Sequence, residues 1–161
     1  MSNMLIDEST TFIVQGITGR EAVNLTRECL DYGSKIVGGV TPGRRGREVH
    51  GVPVYDSVAQ LVEAEGSVPD GSVVTVPPAF TRDAVFEAIE AGIKLIVIVT
   101  ERIPRRDVAA MVELAALRGA RIIGPNCLGI IVPDVIKMGG IGGPAKDAAK
   151  AYTPGPVGVI S

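Results

Sequence analysis

Apolar positions along this chain come in short blocks that alternate between two periods. Continuous β-branched runs read as buried strands, and stretches with apolar residues every three to four positions read as helices. Residues 11–14 are a first strand. Residues 20–32 follow as a helix carrying Ala22, Val23, Leu25, Cys29 and Leu30, and Gly33 is placed to end it. Residues 35–39 make a second strand, 40–51 a loop, and 52–55 a short third strand. Asp56 is expected to cap a helix over 57–65 that Gly66 closes. A strand at 72–76 leads through Pro77-Pro78-Ala79-Phe80 to Thr81, the expected N-cap of a helix to Ala91. A nearly continuous apolar strand at 93–99 precedes a helix over 104–118, with a stripe of Val108, Met111, Val112, Leu114 and Ala115. Strands at 121–123 and 130–132 complete the series.

Strand and helix alternate throughout, and the run at 93–99 is apolar on both sides of its period. The expected fold class is therefore α/β: a Rossmann-like, doubly wound, mainly parallel sheet with helices on both faces. Residues 1–132 form that domain. Residues 133–156, rich in Gly, Pro, Ala and Lys, read as a linker or surface excursion. Residues 157–161 are strand-like and read as the first strand of a truncated second domain.

Composition narrows the function classes. A net charge of -2, no Trp, and only three Phe and three Tyr argue against a nucleic-acid surface, which needs clustered positive charge and stacking rings. The longest apolar stretch, residues 95–99, is far short of the ~20 residues of a membrane span. Two cysteines, Cys29 and Cys127, are too few for a disulfide framework, and a reducing cytoplasm suits them.

In a parallel sheet the carboxyl ends of the strands line the ligand crevice, so the segments that follow each strand carry the candidate chemistry. The first is Gln15-Gly16-Ile17-Thr18-Gly19-Arg20, a GxxG rather than the GxGxxG dinucleotide fingerprint. It is either a phosphate cradle at a helix N-terminus or a plain tight turn. The second, Gly38-Gly39-Val40-Thr41-Pro42-Gly43-Arg44-Arg45, has P-loop spacing but not P-loop chemistry, since arginines replace the lysine and the magnesium-binding hydroxyl. The second strand ends without the carboxylate that an NAD ribose requires. Arginine there suits a phosphorylated ribose, which NADP and coenzyme A both carry, unless Arg44, Arg45 and Arg47 merely solvate a loop. Pro77-Pro78 is an apolar wall or a turn. Glu101 accepts from a ligand or pairs with Arg102 or Arg105. Cys127 has no histidine partner, because the sole histidine, His50, lies in another loop, and it reads as a packed thiol.

Taken together, Gln15-Gly16-Ile17-Thr18-Gly19, Gly38 to Gly43, Val76-Pro77-Pro78-Ala79-Phe80, Ala91 to Ile96, Thr100-Glu101-Arg102-Ile103-Pro104 and Gly124-Pro125-Asn126-Cys127 resemble the N-terminal coenzyme-A-binding domain of the succinyl-CoA synthetase α subunit. The resemblance spans essentially the whole chain. It implies coenzyme A as the cofactor, with Thr18, Gly19, Arg20, Glu21, Arg44, Val99, Thr100 and Glu101 as its contacts. It also implies a succinate–CoA ligase of the tricarboxylic acid cycle that works through a phosphohistidine in a following domain, with a carboxylate substrate and a β subunit carrying a nucleotide-grasp site. The chain alone would be inactive, and His50 does not match the phosphorylated histidine. The sequence departs from the family at Arg44, where lysine is usual, at Leu128, where proline is common, and at Arg102, where the pattern is Glu-Gly-Ile-Pro. An NADP-binding Rossmann oxidoreductase or redox sensor, and a stand-alone CoA-binding module, are the rival readings.

Overall fold

The computed structural model describes residues 5–160. Seven strands form one sheet: β1 (Thr11–Gln15), β2 (Lys35–Val40), β3 (Glu48–Val49), β4 (Val52–Tyr55), β5 (Gly71–Val74), β6 (Leu95–Ile98) and β7 (Arg121–Ile123). Their spatial order is β3-β4-β2-β1-β5-β6-β7. Every pairing is parallel except the short β3–β4 ribbon, whose β3 falls in the loop expected over 40–51. β8 (Gly129–Val132) and β9 (Ile136–Gly139) form a separate antiparallel ribbon.

Handedness distributes the helices. A right-handed crossover that moves one way along a parallel sheet places its helix on one face, and the opposite movement places it on the other. α1 (Arg20–Asp31) connects β1 to β2 and packs on the first face through Ala22, Leu25 and Cys29. The remaining crossovers run the other way, so α2 (Val58–Glu65), α3 (Pro78–Glu90) and α4 (Arg105–Arg118) share the second face through Val58, Leu61, Val85, Ile89, Met111 and Ala115. No helix joins β2 to β4, and one helix cannot cover a whole face. The β8–β9 ribbon fills the gap: Ile136 and Met138 are buried in the same cluster as α1. Met138 lies so close to the sheet that a Cβ at Gly71 would collide with it.

Residues 133–156 are therefore not a linker. They contain β9, buried at all four positions, and α5 (Ala145–Ala151), whose Ala148 is buried. The glycine-rich composition instead permits close approach, as at Gly139 and Gly142, where a Cβ would collide with neighbouring atoms. Residues 157–160 form no strand here and are exposed, while Ser161 lies outside the described residues.

Local expectations shift in three places. Ser57, not Asp56, caps α2 by accepting from the Gln60 N–H at 3.2 Å. Thr81 lies inside α3, which begins at Pro78, and its hydroxyl turns back to the Val76 and Pro77 carbonyls. Val112 is exposed, because α4 presents Met111 and Ala115 to the sheet. Gly38 and Gly39 sit within β2, as the strand expected over 35–39 has them, and packing is what requires them there. A side chain at Gly38 would strike Leu61 on the second face, and one at Gly39 would strike Ile17.

Candidate functional site

Strand order reverses between β1 and β5, whose chain directions of growth diverge to either side. The connections leaving them separate and open a crevice at the carboxyl ends. It is a cleft of about 840 Å³. The first turns of α1 form one wall. The segments after β5 and β6, Thr75 to Pro78 and Val99 to Arg102, form the other, with Asn126 and Gly140 contributing from the ribbon side.

The floor is tightly fixed. Gly16 has φ 85°, and a Cβ there would lie 2.9 Å from Thr75 Oγ1, so both conformation and space demand glycine. Its N–H donates to the Val40 carbonyl at 2.7 Å. Hydroxyls join the rim loops: Thr75 donates to the Gln15 carbonyl at 2.8 Å, and Thr100 to the Val76 carbonyl at 2.7 Å. The Asn126 N–H donates to the Thr100 carbonyl at 3.0 Å. Beneath them the Gln15 carboxamide is buried, donating to the Ala84 carbonyl and accepting from the Ser72 hydroxyl, both at 2.8 Å. These bonds tie the rim loops to one another and to the sheet.

α1 begins at the cleft with Gly19 as N-cap and no side-chain acceptor for its first amides. Those amides have no acceptor within the helix and carry the positive end of its dipole, which is the chemistry of an anion site.

Six of the eight expected contacts meet in this cleft: Gly19, Arg20, Glu21, Val99, Thr100 and Glu101. Thr18 and Arg44 do not line it. The Thr18 hydroxyl donates to Thr41 Oγ1 at 3.2 Å, tying the first loop to the turn that presents Arg44. In that turn the Arg44 N–H is shared by the Thr41 carbonyl and Asp56 Oδ1, each at 3.1 Å, and the Arg45 N–H also reaches Asp56 at 3.2 Å. Asp56 thus orders the arginine turn instead of capping α2. Arg44 itself is exposed, and no ion pair engages it among the described residues.

Several lining residues escaped the sequence reading. Asn24 and Glu28 continue the Arg20 face of α1 at four-residue spacing, a signal that was available. Arg102 adjoins Glu101. Asn126 lies in the segment after β7, one of the strand-end segments, and its N–H holds it to Thr100; Gly140 is brought in by the ribbon, which no local pattern foretold. Behind Glu28 stands Lys137, fully buried on β9, with Nζ 3.4 Å from the Glu28 carboxylate and also donating to the Gly143 carbonyl.

The other reactive side chains are occupied elsewhere. Burial pushes the Cys29 thiol up to about 11, and it donates to the Gly139 carbonyl at 3.3 Å. Cys127 is half-buried, and its sulfur accepts from the Gly129 N–H at 3.3 Å. His50 Nε2 lies 3.1 Å from the Val23 carbonyl, away from the cleft. Among the described residues no cluster of three or more His, Cys, Asp or Glu could hold a metal, and no helix is long and apolar enough to cross a membrane.

The CoA binding domain family matches residues 7–102. The α subunit 2 of an ADP-forming succinate–CoA ligase from Archaeoglobus fulgidus is 46% identical over 159 residues, which are 98% of this chain and 52% of that protein. The malate–CoA ligase α subunit of Methylorubrum extorquens is 40% identical, over 99% of this chain and 52% of its own length. The chain thus spans about half the length of these curated relatives. Among solved structures, ATP citrate lyase from Methanothrix soehngenii, in complex with citrate and coenzyme A, superposes with a TM-score of 0.82 at 21% identity, over 94% of this chain and 27% of that one.

Proposed function

The chain belongs to the CoA-binding domain family, and from that premise we propose that its cleft holds coenzyme A for an acyl-CoA ligase of the succinate–CoA ligase type. The observation that carries the reading is the start of α1. Its first-turn amides lack a side-chain cap and face a cleft at the reversal of strand order. The amides around Gly19, Arg20 and Glu21 would receive the diphosphate. Arg44, on the turn that Thr18 and Asp56 hold, would take the 3′-phosphate. Val99, Thr100 and Glu101 would guide the pantetheine arm along the second wall, with Pro77 and Pro78 beside it.

In the parent enzyme a histidine of the following domain would pass its phosphoryl group to a carboxylate substrate. The thiol would then attack the acyl phosphate, forming the C–S bond as the C–O bond to phosphate breaks and the thiol proton leaves. The role of this chain would be to fix the thiol in place, which turns a bimolecular attack into an intramolecular one. Residues 157–161 would begin the next domain, a β subunit would bring the nucleotide-grasp site, and the assembly would work in the cytoplasm within the tricarboxylic acid cycle.

Calorimetric titration tests the reading. Coenzyme A is expected to bind more tightly than NADP, and the reverse order would move the chain to the oxidoreductase class. A coupled assay for acyl-CoA formation should detect no turnover by the 161-residue chain, and measurable turnover would refute the placement of catalysis in other domains.

A further inference from the structure

The coenzyme A reading sets a direction along the cleft, and the far end of that direction carries chemistry that the coenzyme does not use. With the diphosphate at α1 and the 3′-phosphate on the β2 side, the pantetheine runs the opposite way, over the ends of β5 and β6. Its thiol then lies toward β6 and β7. Two of the four non-glycine residues with left-handed backbone among the described residues line this cleft: Arg102 at φ 59° and Asn126 at φ 53°. Asparagine tolerates this conformation, whereas at position 102 the backbone alone would favour glycine or asparagine. Arginine therefore contributes its side chain there at a conformational cost.

That side chain is 85% exposed. Its Nε lies 3.8 Å from Glu101 Oε1, and its two terminal nitrogens have no partner among the described residues. The backbone N–H of Asn126 is tied to Thr100, while its carboxamide remains exposed. A free guanidinium edge and an exposed carboxamide donor lining one cleft have the chemistry that reads a carboxylate. We propose that Arg102 and Asn126 form a subsite for the free carboxylate of a dicarboxylic acyl group carried on the coenzyme thiol.

The test compares succinyl-CoA with butyryl-CoA, which has a methyl group where succinyl-CoA has its free carboxylate, and with coenzyme A itself. The wild-type chain is expected to bind succinyl-CoA at least about tenfold more tightly than butyryl-CoA, the size of one charge-assisted contact. Arg102→Gly, which suits the left-handed backbone and so keeps the fold, should bring that ratio close to one. Equal wild-type affinities for the two thioesters, or a ratio that survives in Arg102→Gly, would overturn the subsite while leaving the coenzyme reading in place. Failure of coenzyme A itself to bind would overturn that reading and the subsite with it.

Discussion

Two helices of this molecule start on the same rim of the sheet, and they treat their first amides in opposite ways. At α2 the protein closes the end itself. Ser57 Oγ accepts from the Gln60 N–H, and Glu87, reaching over from α3, accepts from the Val58 N–H at 2.7 Å. At α1 the N-cap is Gly19, no side chain accepts from the first turn, and the amides open onto the cleft. A strand-to-helix junction is thus not a ligand site by position alone. What distinguishes the two is whether the chain provides its own acceptor.

The strongest way to break this contrast is to remove the support under α1. Gly39→Val would drive a side chain into Ile17, directly beneath the open loop. Overpacking of this kind is expected to cost about 3 kcal/mol, or roughly 6–12 °C in Tm for a domain of this size, with loss of coenzyme binding as a consequence. A thermal melt measures it, and an unchanged Tm would mean that Ile17 has room to move.

A more selective variant is Gly19→Val. Gly19 has an ordinary φ of -66°, and its nearest obstacle is the Gly16 carbonyl, 3.2 Å from a built Cβ, so the fold should survive. The added branches would crowd the open amides and weaken coenzyme A by about tenfold or more, the loss of one to two contacts to a charged group. Titration and melting together separate binding from stability. Full affinity in a folded variant would reduce the GxxG to a turn.

Arg44→Ala should cost about tenfold for coenzyme A and nothing for dephospho-CoA, because only the first carries the 3′-phosphate. Equal losses for both ligands would trace the effect to the Asp56-ordered turn rather than to the phosphate. The smallest effect belongs to the closed helix. Ser57→Ala should remove about 1 kcal/mol of stability, some 2–4 °C in Tm, and leave coenzyme affinity unchanged. A drop in affinity there would show that the two helix starts are not independent.

Much of this molecule was legible locally. The alternation of buried runs with amphipathic stretches located β1, β2, β4 to β7 and all four sheet-packing helices, because covering both faces of a parallel sheet leaves its strands apolar throughout. Gly66, left-handed at the C-terminus of α2, was visible as a stop. The motif spacing likewise pointed to the cleft segments after β1 and β6. Some errors were of one to a few residues: Ser57 and Asp56 are both good caps, and only the turn geometry, which commits Asp56 to the Arg44 and Arg45 amides, decides between them.

What the sequence by itself determined is the order of elements, the face each helix turns inward, and the polar segments at the strand ends. Those properties follow from residue periodicity and from turn chemistry within a few positions. Only the tertiary structure decided that Gly38 and Gly39 are packing glycines, that β9 and Lys137 are core, and that Gly140 reaches the cleft. Each depends on a partner far along the chain: Leu61 and Ile17 against the glycines, Glu28 against Lys137, and the half-covered face that the ribbon fills. Crossover handedness leaves that face short of a helix, and a glycine-rich segment that reads as loose in isolation becomes the piece slim enough to close it.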